Sequence, residues 1–164
     1  MNRFRIERLA KQDRSTFDCG NDALNGYLRR IASQDQKRRY AVCFLAIENE
    51  SQKIAGFYTL SSASVALEQL PEDLVKSLPR YPVVPVVKLG RLAIDESFRG
   101  LGLSRAMLAD VYQRVRAMEI GAHAVAVDAK DDEAEAFYLH HGFVKLKSAM
   151  PEERLLFLPI NDAD

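Results

Sequence analysis

Cysteine is scarce in this 164-residue chain. The two present, Cys19 and Cys43, have no CxxC spacing, so the chain offers no thiol redox or zinc-ribbon motif. Cys43 lies in an apolar run and is expected as a buried free thiol. Histidine gives no metal site either. His123 stands alone, and His140 and His141 are adjacent, so their side chains should diverge on a helix. No Ser-His-Asp arrangement is signalled. No apolar run approaches the roughly 20 residues needed to cross a bilayer, and the opening MNRFRIERLAKQ lacks the apolar stretch of a signal peptide. A reducing cytoplasm, with no membrane, is the expected setting. Net charge is also missing. Lys plus Arg balance Asp plus Glu at 23 each, which argues against a general nucleic-acid binder.

The charge that exists is unevenly placed. Residues 1–40 carry ten basic and five acidic side chains, net +5, and the remainder is net −5. A basic N-terminal third suits a local polyanion site. It equally suits an ordinary basic helix surface. Apolar residues at 48% and charged residues at 28% suffice for a core and a solvated surface, and the length fits one domain, residues 1–164.

Residues 3–9 alternate as a short strand. Asn21 is placed to cap a helix over 22–38, with Leu24, Leu28, Ile31 and Ala32 on one face and basic residues at its far end. Residues 40–48 and 54–64 read as an antiparallel hairpin across NESQK. A short helix over 71–78 begins at a proline, and three prolines keep 79–85 extended or looped. A fourth strand covers 84–95, where Gly90 suggests a bulge or the close approach of another backbone. Leu103, Met107, Val111, Val115 and Met118 form the stripe of a helix over about 103–119, with Gly121 as its stop. A buried strand at 123–129 follows. Asp132 with Glu135 suggests a capping box for the next helix, which buries Ala134, Phe137 and Tyr138 and ends at Gly142. FVKLK and LLFLP close the sheet. The order implies an α/β fold, a mixed central sheet of about seven strands with flanking helices.

The chemistry concentrates in VVKLGRLAIDESFRGLGLSRAML, 86–108. An apolar strand runs into a glycine turn that opens directly into an amphipathic helix. Such a turn aims backbone N–H groups at an anion, and a phosphate or pyrophosphate fits there without a metal. A dinucleotide fingerprint would need a third glycine in register near the first strand. A Walker loop would need a GK[ST] ending. Neither is present. What is present is R-x-x-G-x-[small] over 99–104, followed by a buried strand and then A-x-x-F-Y-x-x-x-G-F at Ala134, Phe137, Tyr138, Gly142 and Phe143.

Taken together, these motifs resemble the GCN5-related N-acetyltransferases (GNAT), from about Leu89 to Phe143. The resemblance implies acetyl-CoA as donor. It places the pyrophosphate on the backbone of Arg99, Gly100, Leu101, Gly102, Leu103 and Ser104, and pairs the pantetheine arm with Leu92, Ala93 and Ile94. Phe137 is implied beside the cofactor. Ser104 departs from the family's usual Gly or Ala, but it is small and suits a helix start. Tyr138 matches the position of the family's general acid, which protonates the departing thiolate. A thiol pKa near 8.5 and a phenol pKa near 10 make that transfer reasonable. The alternative for Tyr138 is a plain core aromatic. Asp95, Glu96 and Asp128 are the nearest carboxylates, and none is named as base.

A narrower resemblance covers the N-terminal half. F-x-C-G-x-x-x-L-x-x-Y-L (Phe17, Cys19, Gly20, Leu24, Tyr27, Leu28), then GFYTLS at 56–61 and KLGRLAID at 88–95, is similar to the GNAT toxins of bacterial type II toxin–antitoxin modules. It implies acetylation of the amino acid on charged tRNA, which blocks translation. It also implies a ribbon-helix-helix antitoxin and a homodimer. Arg29, Arg30, Lys37, Arg38, Arg39 and Arg91 are the candidate phosphate contacts. Arg91 has an equal alternative, an ion pair with Asp95. Two other readings stay open: a GNAT acting on a small amine or a protein N-terminus, and a non-catalytic CoA-binding interaction module.

Overall fold

The computed structural model describes residues 2–148 and 150–161. Its elements are β1 (Phe4–Arg8), α1 (Asp22–Gly26), a π-helical stretch (Tyr27–Ile31), α2 (Ala32–Lys37), β2 (Val42–Glu48), β3 (Ile54–Ala66) and α3 (Glu72–Val75). There follow β4 (Val83–Ile94), α4 (Leu103–Ala117), β5 (Ala124–Asp128), α5 (Asp132–His140), β6 (Val144–Lys145) and β7 (Leu155–Pro159). The strands form one seven-stranded sheet in the order β1-β2-β3-β4-β5-β7-β6. It is mixed, as expected: β4 and β5 are parallel, and β2 and β3 form the antiparallel hairpin. No described helix is long and apolar enough to cross a membrane.

The chain divides into two compact units, one running through Ser61 and including Gly90–Val111, the other holding Ser62–Leu89 and the residues from Tyr112 on. The first is built around Phe17, Leu28, Leu45 and Phe57, each at most 1% exposed. Burial of each such side chain contributes about 1.5–3 kcal/mol. Cys43 lies among them as a free thiol. The second unit packs Leu70, Val84, Val86, Ala124, Ala126, Leu146 and Phe157 together.

The expected N-terminal helix forms, and the Asn21 side chain caps it by accepting the Leu24 N–H at 3.0 Å. Its apolar face is the expected one at three of four positions, with Leu28 and Ala32 in the core and Leu24 packed against it. The fourth, Ile31, closes the π-helical stretch, whose wider turn rotates it out of that face. Ile31 is therefore 45% exposed, while Tyr27 joins Leu28 in the core. The Arg14 guanidinium donates to Leu28 O at 3.0 Å, inside the disturbed ladder.

Helix α4 buries Leu103, Met107, Val111 and Val115. It ends at Ala117, so Met118 falls outside the stripe and is exposed, and Gly121 is not the stop. Helix α5 also differs at its start. Asp131, not Asp132, is the cap; it is extended, and its carboxylate accepts the Ala134 N–H at 2.8 Å. Asp132 instead pairs with Arg154 at 2.7 Å. At Gly90 the close neighbour is a side chain: a Cβ there would lie 2.8 Å from Thr59 Oγ1.

Candidate active site

The glycine turn is preceded by a short 3-10 turn, Glu96–Phe98, which Asp95 caps by accepting the Ser97 N–H at 2.8 Å. Phe98 is buried and anchors the approach. Gly100 and Gly102 then adopt φ +78° and +77°, the left-handed region where a side chain costs about 1–2 kcal/mol. Nothing lies within 4 Å of the point where either would carry a Cβ. Leu101 faces outward between them, and Leu103 plunges into the core as the first residue of α4. The first bond into the helix runs from Ala106 N to Gly102 O at 3.1 Å. The amides before it have no partner along the helix axis, and they sit at the positive end of a fifteen-residue dipole. The result is an open main-chain anion cradle. Gly102→Ala should keep the fold but raise the KM for acetyl-CoA about tenfold, from strain at φ +77° and a methyl in the open space. Initial-rate kinetics with varied acetyl-CoA check this.

The parallel register of β4 with β5 runs from Val86↔Ala124 to Leu89↔Val127. Beyond it, Leu92 and Ile94 are half-buried and Ala93 is buried. Gly56 of β3 is what lets this stretch pack. A Cβ at Gly56 would lie 2.9 Å from Ala93 O and 3.0 Å from both Ile94 Cδ1 and Met107 Sδ.

The basic candidates separate into two groups. Lys37, Arg38 and Arg39 are exposed together at the end of α2. Arg29 and Arg30 lie in the π-helical stretch, not at the far end, and the Arg29 guanidinium donates to Phe17 O. Arg39 is held at φ +65°, unusual for a side-chain-bearing residue. The bonds from Tyr40 N to Asp35 O (2.8 Å) and Arg39 N to Gln36 O (3.1 Å) make this a Schellman end with arginine in the glycine position.

Arg91 does not make the ion pair with Asp95. Its guanidinium lies over the Tyr27 ring, 3.6 Å from the centroid, as a cation–π pair. Tyr27 is buried, and its hydroxyl donates to Asp35 at 2.9 Å. Asp95 is occupied elsewhere, accepting the N–H groups of Asp18 and Ser97. Asp128 accepts the Arg154 N–H.

Tyr138 is fixed by the end of its own helix. Phe143 N donates to Tyr138 O (3.1 Å) and Gly142 N to Leu139 O (3.2 Å), with Gly142 at φ +94°. This Schellman motif folds Phe143 back so that its ring meets Tyr138 edge-on at 5.2 Å. The G-F of the motif is therefore the clamp that holds the Y. Tyr138 is 6% exposed, and burial pushes its phenol up to about 12. Phe137 is half-buried, against Tyr138 and His141. The His140 and His141 rings do not diverge; their centroids are 5.1 Å apart. Among the described residues no cluster of three or more His, Cys, Asp or Glu is placed to hold a metal.

Sequence and structure comparisons find relatives of the same fold. The acetyltransferase (GNAT) domain pattern matches residues 75–161. A tRNA-acetylating toxin of Mycobacterium tuberculosis is 37% identical over 133 residues, covering 80% of this chain and 78% of that one. Among solved structures, AtaT complexed with acetyl-methionyl-tRNAfMet superposes with a TM-score of 0.87 at 31% identity, covering 95% of this chain and 94% of that one. A mutant AtaT toxin bound to the C-terminus of the antitoxin AtaR and acetyl-CoA gives a TM-score of 0.79 at 27% identity, covering 97% and 94%.

Proposed function

The chain belongs to the acetyltransferase (GNAT) domain family, and from that premise we propose that it moves the acetyl group of acetyl-CoA onto the α-amine of aminoacyl-tRNA, as the toxin of a toxin–antitoxin pair. One observation carries the reading: the paired left-handed glycines, Gly100 and Gly102, opening onto α4 with free space before them. The cradle suits the diphosphate of a CoA thioester, held by the main chain from Arg99 to Ser104. Leu92, Ala93 and Ile94 offer backbone for the pantetheine arm, and Phe137 an apolar surface. The relatives supply the acceptor, since those most similar include proteins named for acetylating tRNA or solved with acetylated tRNA.

The chemistry asks little of the protein. An α-amine with a pKa near 8 is partly neutral at pH 7 and can attack the thioester carbonyl with water taking its proton. The C–S bond then breaks, and the Tyr138 hydroxyl gives its proton to the sulfur. Arg30, Lys37, Arg38 and Arg39 hold the tRNA phosphates, with Arg29 and Arg91 already engaged inside the fold. The family pattern spans 75–161 and so draws on both compact units, which supports reading residues 1–164 as one catalytic domain. A ribbon-helix-helix antitoxin, a homodimer and a cytoplasmic site of action complete the proposal.

The test is mass spectrometry of charged tRNA after incubation with acetyl-CoA and the protein. An acetyl group on the aminoacyl moiety is the expected result. Acetyl found only on free amines or peptides would replace this substrate with a small amine or a protein N-terminus. No transfer to any amine would leave a CoA-binding module.

A further inference from the structure

The segment Phe17–Gly20 has no part in the chemistry above, yet it carries a dense set of long-range hydrogen bonds. Asp95 Oδ2 accepts the Asp18 N–H at 2.9 Å, and the Glu96 N–H returns to Asp18 O at 2.9 Å. Arg99 Nη2 donates to Cys19 O at 2.5 Å. Within the segment, Asp18 Oδ1 accepts from Gly20 N (2.9 Å) and Asn25 Nδ2 (3.0 Å). Asn25 Oδ1 accepts the Cys19 N–H at 2.9 Å. Asn25 and Asp95 are both buried. The two side-chain bonds join residues 77 and 80 positions apart, and all the partners from the far side lie just ahead of Gly100.

We propose that Arg99 is a positioning residue whose guanidinium fixes the start of the glycine turn to the Cys19 carbonyl, presetting the turn's main-chain N–H groups for the pyrophosphate without binding phosphate itself. The inference rests on the reading that this turn holds the cofactor. A turn with two left-handed glycines and open space around it is permissive, and it loses much conformational freedom on ordering. Leu103 anchors its exit in the core. Arg99 anchors its entrance through a charge-assisted bond to a carbonyl, stronger than a neutral one. Its charge is answered locally. The Gly20 and Asn25 bonds hold the Asp18 carboxyl below the usual range, with Arg29 and Arg99 adding to the effect. The same brace reaches α1 through Asn25, two residues before Tyr27, the ring that carries Arg91.

Arg99→Ala and Arg99→Gln separate a brace from a phosphate ligand. Glutamine can still donate to the Cys19 carbonyl but brings no charge to a phosphate. In the full chain without cofactor, Arg99→Ala should speed hydrogen exchange of the Cys19 amide about tenfold and weaken coenzyme A binding, by calorimetry, about tenfold. Arg99→Gln should stay within about threefold of the parent in both. If Arg99→Gln weakens coenzyme A as much as Arg99→Ala while exchange at Cys19 is unchanged in either variant, the side chain acts as a charge on the ligand and the proposal is overturned. Should Arg99→Ala fail to fold, the coenzyme A affinity of Arg99→Gln decides alone: near-parent binding supports the brace, and a tenfold or greater loss overturns it. The exchange experiment needs no cofactor. A parent protein that shows the brace but does not bind coenzyme A would refute the cofactor reading and leave the brace standing.

Discussion

Tyr138→Phe should lower kcat for acetyl transfer about 100- to 1,000-fold, within the range of a lost general acid, and leave acetyl-CoA affinity and the fold in place. The substitution removes one oxygen. The ring contacts with Phe137 and Phe143 are made by carbon atoms, so they survive. Burial pushes the phenol up to about 12, which keeps it protonated across the working range, the form an acid needs. The ordinary thiol pKa near 8.5 would make the phenol a weak donor to the sulfur. The same desolvation that raises the phenol also raises the basicity of a thiolate leaving into dry surroundings, which narrows the gap. On the pH axis, kcat/KM should rise as the α-amine loses its proton near pH 8 and then hold level, with no alkaline fall from Tyr138 below about pH 10. Stability follows the opposite limb. The folded phenol sits above its unfolded value near 10, so its contribution is full below about pH 10 and is lost as pH rises toward about 12. Tyr138→Phe should remove that part of the alkaline loss, measured by thermal melting against pH. Buried Cys43, also pushed up to about 12, leaves a similar limb that begins in the ordinary thiol range. A Tyr138→Phe enzyme with kcat within about threefold of the parent would remove this residue from the chemistry.

What was legible in the sequence follows how far each interaction reaches along the chain. The glycine turn, the start of α4 and the G-F clamp on Tyr138 are built from bonds spanning five residues or fewer, so their spacing shows in the sequence. The hairpin of β2 and β3 was readable from two apolar runs and the polar link NESQK between them. The misses have other causes. Two adjacent aspartates compete for the cap of α5, and Asp131 takes it, freeing Asp132 for Arg154. A single wide turn moved Ile31 outward while Leu28 and Ala32 kept their places, which no pattern with a fixed 3.6-residue period foresees. The Arg91–Tyr27 stack and the Asp18–Asp95 bond join residues 64 and 77 positions apart. Only the fold brings them together. One Asp95 oxygen accepts the N–H of Ser97, two residues on, but nothing in the sequence announces that the second carboxylate oxygen serves Asp18.

Arg39→Gly should make the protein more stable and a poorer enzyme on tRNA. Arg39 occupies the left-handed position at the end of α2, where a side chain costs about 1–2 kcal/mol and glycine is the favoured residue. Part of that gain is offset by the extra freedom glycine gives the unfolded chain, leaving a net of about 0.5–1 kcal/mol, or roughly 1–4 °C in Tm. An arginine where the backbone prefers glycine points to a task at the surface. Salt reports that task. If Arg30, Lys37, Arg38 and Arg39 are the phosphate contacts, log affinity for charged tRNA should fall against log salt with a slope of about −3.6, a loss of about 100-fold between 50 and 200 mM. Engagement of Arg29 and Arg91 as well would steepen the slope to about −5.4 and the loss to about 1,000-fold. The bonds those two already make favour the shallower value. Arg39→Gly should reduce the slope by about one, and Arg38→Glu with Arg39→Glu by about two, with kcat on saturating tRNA nearly unchanged. Filter binding of charged tRNA across a salt series reads all of this. A flat salt response in the parent protein, or unaltered tRNA affinity after the double reversal, would move the polyanion site away from the end of α2.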